Sequence, residues 1–278
     1  MTVGVVLPYL GNLIFAEILE NIESVLSSYG YRIFLCCTYN NLVKEYHDIS
    51  SLLERQVDGI IWAPLHVKDS RQAAKLIMKQ HVPFVFVDRR LPDCKADSVL
   101  VDDFDGALEL TRHLLDGGRK KIAYVGALLE SHVERERRNG FLAGMRERCL
   151  EVREEWICRG GADISAGKKA ASLLLGCSEK PDAVFCFNDM LSIGVEQGLL
   201  ENGVRIPEDI ALVAFSGTLE MEIASIPITG VFQDAVSLGR KSADFLLRRM
   251  INPRVRMAPE NLVLNTRLVI RASSQKVD

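Results

Sequence analysis

Short unbroken apolar runs alternate along the chain with longer stretches in which apolar side chains recur every third or fourth residue. The runs at 3–7, 31–37, 58–63, 84–87, 98–101, 121–125, 156–159, 183–187, 210–215, 229–232 and 262–270 predict β-strands. Their apolar residues are mostly consecutive rather than alternating, which marks strands buried on both faces. Helices are expected at about 12–29, 42–56, 69–80, 104–116, 134–148, 165–175, 190–201 and 235–250. In the first, Ile14, Ile18, Ile22, Val25 and Leu26 form one stripe, with Glu17, Glu20 and Glu23 off it. Gly30, the Gly117-Gly118 pair and Gly203 act as helix stops, since glycine enters the left-handed region at least cost.

Buried strands alternating with helices indicate parallel sheets covered on both faces. The first four βα units end near Val101, and a second series begins with Asp102-Asp103-Phe104-Asp105. The expected fold class is therefore α/β, as two doubly wound parallel-sheet lobes, and 278 residues accommodate both. There is no low-complexity segment, short repeat or Gly/Ser linker, so the lobes are expected to be closely joined.

Composition narrows the function classes. With 48% hydrophobic and 26% charged residues the chain can bury a sizeable core. Its net charge is −3, from 34 Lys+Arg against 37 Asp+Glu, with no basic stripe, so these residues are not expected to grip nucleic acid directly. Seven scattered cysteines without a C-x-x-C fit a reducing compartment better than a disulfide framework. Met1–Leu7 reads as a strand rather than a signal peptide. No apolar stretch reaches the ~20 residues needed to cross a bilayer. The expected address is the cytoplasm, with no membrane partner. Neither a G-x-G-x-x-G after a strand nor a P-loop is present, and Ser216 lacks the glycine of a nucleophile elbow. The five histidines show no zinc spacing. No metal, cofactor or catalytic constellation is expected, and an enzyme is the third-ranked reading.

In doubly wound sheets ligands sit beyond the carboxyl ends of the strands. Tyr9 follows the first strand, with Asn12 and Phe15 in the next helix; Pro64, Leu65 and His66 follow the third strand, and Asp88, Arg89 and Arg90 the fourth. In the second series come Gly126, with Arg137 in the helix beyond it, then Asn188-Asp189, Ser216-Gly217-Thr218 and Gln233-Asp234. Polar side chains with two aromatics and three arginines suit a cleft for a small polar ligand. Structural roles compete at each position. Asn188 and Asp189 can cap a helix, Arg137 can lie on a solvated charged face, Phe15 can be core, and Asp88-Arg89 can be a plain loop pair.

The segment Pro181-Asp182-Ala183-Val184-Phe185-Cys186-Phe187-Asn188-Asp189-Met190-Leu191-Ser192-Ile193-Gly194 resembles a strand and helix of the LacI/GalR family of bacterial transcriptional regulators. Gly203 to Phe215, Asp102 to Ala107, His113 to Gly118, Arg137 to Phe141 and Thr266 to Arg271 resemble further motifs of that family, in order. The resemblance implies two periplasmic-binding-protein-like lobes (type I) joined by three crossovers, here 1–101 with 234–261 and 102–233 with 262–278. It implies a homodimer, a small-molecule effector such as a sugar or sugar derivative, and operator DNA bound only through an N-terminal helix-turn-helix head. This chain starts at the first strand, so the head is expected to be missing. By position the resemblance carries effector contacts to Tyr9, Phe15, Asp88, Arg137, Asn188, Ser216 and Gln233. Two departures stand out. Many sugar-responsive relatives have Asp where this chain has Ser216, which favours an anionic or unusual effector over a plain neutral sugar, and the usual Gly-His is Gly118-Arg119. The alternatives are a solute-binding receptor of a transport system, or a family regulator controlled by a phosphorylated carrier protein.

Overall fold

The computed structural model describes residues 1–128, 131–252 and 257–275. The ends of two expected segments, 253–256 and 276–278, and the pair 129–130 lie outside the described residues. In chain order the elements run β1 (Thr2–Leu7), α1 (Leu13–Ser28), β2 (Arg32–Cys37), α2 (Leu42–Glu54), β3 (Gly59–Trp62), α3 (Arg71–Lys79), β4 (Phe84–Val87) and β5 (Asp97–Val101). There follow α4 (Asp103–Asp116), β6 (Ile122–Ala127), α5 (His132–Glu147), β7 (Ile157–Gly160), α6 (Ile164–Leu175), β8 (Ala183–Cys186), α7 (Asp189–Glu201), β9 (Ala211–Ala214) and α8 (Leu219–Ile223). The chain closes with β10 (Thr229–Phe232), α9 (Ala235–Ile251), β11 (Asn261–Leu264) and β12 (Arg267–Val269).

Two compact units result, the first built on Met1–Val101, Leu129–Val133 and Asp234–Leu264, the second on Asp102–Leu128, Glu134–Gln233 and Asn265–Asp278. The chain thus changes unit after Val101, Gln233 and Leu264, and also on either side of the short segment Leu129–Val133. Each unit holds a six-stranded sheet, ordered β2-β1-β3-β4-β5-β11 in the first and β7-β6-β8-β9-β10-β12 in the second. The first sheet is wholly parallel, and in the second only β12, against β10, is antiparallel. Central strands follow from their sequences: Gly59–Trp62, Ala183–Cys186 and Ala211–Ala214 are buried at every position, as strands covered on both faces must be.

The apolar run 262–270, expected as one strand, is two. β11 pairs with β5 in the first sheet and β12 with β10 in the second, with the polar pair Asn265-Thr266 between them. The boundary expected after 261 therefore falls after Leu264. Alternation of side chains continues through the polar pair, so the pattern alone could not show the break. Asp97 prepares β11's place: its carboxylate takes two bonds from Arg249 of α9, at 2.7 and 2.6 Å, and the Glu260 N–H at 2.8 Å. α8, a short helix after β9, is absent from the sequence expectation because five residues are too few to show a period.

Gly118-Arg119, where the family has Gly-His, does structural work in the second unit. Gly118 takes a φ of +90°, and the Arg119 guanidinium donates to the carbonyls of Asp182 (3.2 Å) and Pro207 (2.5 Å). The arginine thereby ties the start of β6 to those of β8 and β9. A buried carboxylate lies at the other end of β6. Glu134, in the first turn of α5, accepts the Tyr124 hydroxyl at 2.9 Å and lies 3.6 Å from Arg159. Gly126 makes room for it, since a Cβ there would come within 3.1 Å of its oxygen.

Two expectations follow. Helices α6 and α7 touch through backbone, and a Cβ on Gly194 would stand 2.1 Å from the Ile164 carbonyl oxygen. Alanine gains about 1 kcal/mol of helix propensity over glycine, but a backbone atom cannot yield without parting the helices. Gly194→Ala should destabilise the protein by about 2 kcal/mol net, measured by urea unfolding. Burial pushes the Glu134 carboxyl up to about 7, although Tyr124, Arg159, Arg138 and the Ala127 backbone all pull it down. A native carboxyl that holds its proton above the unfolded value near 4.5 favours the folded state at low pH. Its contribution is complete below about 4.5 and is lost as pH rises through 7. Against Glu134→Gln, wild-type stability should fall by up to about 3 kcal/mol across that window; parallel pH profiles for the two proteins would refute this.

Candidate functional site

β6, β8, β9 and β10 run parallel, so their carboxyl ends lie along one edge of the second sheet. Arg137, in the second turn of α5, reaches across these ends and is only 5% exposed. Its Nε donates to Asp103 at 2.7 Å, one terminal nitrogen to the Phe187 carbonyl at 2.9 Å, and the other to the Gln233 side-chain oxygen at 3.4 Å. The guanidinium carbon lies 3.9 Å from the centre of the Phe215 ring and 4.9 Å from that of Phe187. Of five guanidinium N–H groups three are engaged, leaving one on each terminal nitrogen for a ligand. Arg137 and Gln233 are thus brought together, and the solvated-face reading of Arg137 is replaced. Arg135 and Arg138 on the same helix are half-buried, whereas Arg137 is buried.

Asn188 caps α7, its side-chain oxygen accepting the Leu191 N–H at 2.9 Å while its amide donates to the Ala162 carbonyl at 3.2 Å. Asp189, 1% exposed, accepts the Met190 N–H at 2.8 Å. Burial raises its pKa to about 6 and the Glu220 charge adds to that, while the Met190 N–H and the Arg137 charge oppose it. Ser216 is buried, with its hydroxyl 3.1 Å from that of Thr218 and accepting the Thr218 N–H at 3.4 Å. It closes its own turn. The carboxylate bonded to Arg137 is Asp103, and Asp189 feels the charges of both Arg137 and Glu220.

In the first unit Phe15, Asp88 and Arg89 form one cluster. Asn12 caps α1 through the Ile14 N–H (3.2 Å), which sets Phe15 in the first turn, where it is 4% exposed. The Arg89 guanidinium lies 5.7 Å from the Phe15 ring centre, and its Nε lies 3.4 Å from the Asp88 carboxylate. Asp88 takes a φ of +62°, a left-handed conformation that aspartate tolerates better than most residues, and it is buried. Tyr9 stands apart and exposed, edge-on to Tyr39 with ring centres 6.3 Å apart. The connection after β3 is held by Glu45 of α2. That buried carboxylate accepts Trp62 Nε1 (3.0 Å), the Leu65 N–H (2.9 Å) and the Ser70 hydroxyl (2.5 Å).

Asp103, Phe187, Phe215 and Glu45 were not legible as site residues. Asp103 reads as one more acid at a helix start, the two phenylalanines as strand ends, and Glu45 as a polar position of an amphipathic helix. Only the repeated phenylalanine at the ends of two strands, 187 and 215, could have been a signal. Among the described residues no group of three or more His, Cys, Asp or Glu could hold a metal ion, and no helix is long and apolar enough to cross a membrane. All seven cysteines are free thiols.

Residues 111–274 match the periplasmic binding protein-like domain family. The HTH-type transcriptional repressor PurR of Actinobacillus pleuropneumoniae serotype 3 (strain JL03) is 30% identical over 264 residues, which cover 95% of this chain and 78% of that repressor. Among solved structures, the transcription regulator CcpA of Lactococcus lactis superposes with a TM-score of 0.89 at 26% identity, over 99% of both chains. A LacI family transcriptional regulator from Enterococcus faecium, solved with bound ribose, gives 0.87 at 26% identity over 100% of both. With the two matching sheets and the cluster around Arg137, these likenesses identify the chain as a member of the LacI/GalR family of transcriptional regulators, carrying that family's effector-binding core.

Proposed function

We propose that this core binds a neutral, hydroxyl-rich effector, a sugar or sugar derivative, and so controls operator occupancy without chemically changing the ligand. The residues assigned to it are Tyr9, Phe15 and Asp88 of the first unit and Arg137, Asn188, Ser216 and Gln233 of the second. The observation that carries the reading is the buried Arg137, with two N–H groups uncommitted and its charge already matched by Asp103. Asp189 adds a second carboxylate that feels the Arg137 charge, which weakens the pull of this arginine on an anionic ligand. This argues against the anionic effector that Ser216 suggests from sequence. Hydroxyls, in contrast, can donate to carboxylates and accept from the guanidinium at once. The ribose bound to the Enterococcus faecium regulator is a ligand of this class.

A thermal-shift panel of ribose, cellobiose, gluconate, glucose 6-phosphate, adenine and amino acids tests it. A neutral sugar at a hundred times its dissociation constant should add about 2.7 kcal/mol of stability. Arg137→Lys, which keeps the charge beside Asp103 but loses the fork, and Asn188→Ser, which keeps the helix cap, should each weaken binding about tenfold or more. A hit confined to the anions, or one indifferent to both substitutions, would refute the reading.

The core is further proposed to act as a homodimer through the β2 edge. β2 is unpaired on one side, Phe34 and Leu35 on it are about 40% exposed, and α2 beside it leaves Val43 and Tyr46 in water. The Arg55 guanidinium, at the end of α2, lies 5.8 Å from the Phe34 ring centre, which joins these residues in one patch. Unpaired edge backbone flanked by apolar side chains is a surface that a second copy can cover. Sedimentation equilibrium should show a dimer for the wild type and a monomer for Leu35→Glu; a dimer that survives that change would place the interface elsewhere.

A further inference from the structure

A cavity of about 470 Å³ lies in the first unit between α3 and the connection from β4 to β5, away from every residue assigned above to the effector. One wall is a single face of α3, since Arg71, Ala74, Lys75 and Met78 recur at helical spacing. The other wall is Leu91, Asp93, Cys94 and Lys95. Ala74 and Leu91 form a buried floor that belongs to the core cluster with Ile77 and Phe86, against which Cys94 packs. Met78 stands half exposed over it, an adaptable apolar side chain left in water.

The rim is charged in one sense. Arg71 and Asp93 form an ion pair that joins the two walls. Lys75 and Lys95, one on each wall, have no ion-pair partner among the described residues. An apolar chamber edged by two uncompensated ammonium groups complements an anion with an apolar body. A neutral hydroxyl-rich molecule would find almost no hydrogen-bond partners in it.

We propose that this cavity is a second ligand site, specific for small amphipathic carboxylates, with the hydrocarbon on Ala74, Met78 and Leu91 and the carboxylate between Lys75 and Lys95. It stands independently of the effector assignment. Leu91 lies three residues beyond Asp88 on the same connection, so a ligand here orders the segment that carries Asp88.

Sodium octanoate is the probe, with acetate as the charge without the tail and octanamide as the tail without the charge. Isothermal titration of the whole chain should give a dissociation constant of about 1 mM or below for octanoate, and binding at least about tenfold weaker for the other two. The double variant Lys75→Glu/Lys95→Glu, and separately Met78→Glu, should each weaken octanoate binding about tenfold or more while leaving the thermal midpoint unchanged. Octanoate should also slow alkylation of Cys94 by N-ethylmaleimide, read by peptide mass mapping, and leave that of Cys149 unchanged. Absence of octanoate binding at 10-fold higher concentration, equal binding of octanamide, or indifference to both variants would overturn the assignment.

Discussion

A guanidinium buried to 95% of its surface must find acceptors for its charge, and where Arg137 finds them organises the carboxyl edge of the second sheet. Asp103 at the head of α4, the carbonyl after β8 and Gln233 after β10 all converge on it, and Phe215 after β9 stacks against it. One side chain therefore sets the relative positions of three neighbouring strand ends and two helices. The carboxylate that makes its burial tolerable also cancels its field. What it keeps to offer is directional hydrogen bonding, and the proposal of a hydroxyl-rich ligand rests on that.

The first unit reaches a comparable end by different means. Here no arginine among the described residues is buried so deeply, and the carboxyl edge is ordered by Glu45, which fastens the connection after β3, and by the Phe15, Asp88 and Arg89 cluster. The left-handed turn at Asp88 places its carboxylate beside Arg89, so the two charges compensate locally. The common device is a carboxylate held by several donors at a strand end, which keeps polar side chains rigid at little net charge. Rigid polar groups lose less entropy on binding than mobile ones, which favours recognition of a small ligand.

The strand order, with the first strand of each series in the interior and the second at the edge, also accounts for what lies outside the ligand edges. Among the described residues the edge strands are β2 and β11 in the first sheet and β7 and β12 in the second, and β2 presents both an aromatic and an aliphatic side chain, Phe34 and Leu35, to water. The opposite flank of the first sheet is closed by β11, whose arrival depends on the Asp97–Arg249 bonds.

Unbroken apolar runs separated by helical periods determined by themselves that the chain forms parallel α/β sheets, because a strand covered on both faces can tolerate few polar positions. They also placed Asn188, Ser216 and Gln233 just beyond strand ends and Arg137 in the helix that follows one, since connectivity alone puts those positions there. What each of them bonds to was decided only in three dimensions. Ser216 closes its own turn, Asn188 is held by a cap and by Ala162, and Arg137 is paired with an aspartate 34 residues away. Hydrogen-bond partners so distant in sequence leave no local pattern. The split of 262–270 between two sheets was equally invisible, because side-chain alternation is the same whichever sheet a strand joins.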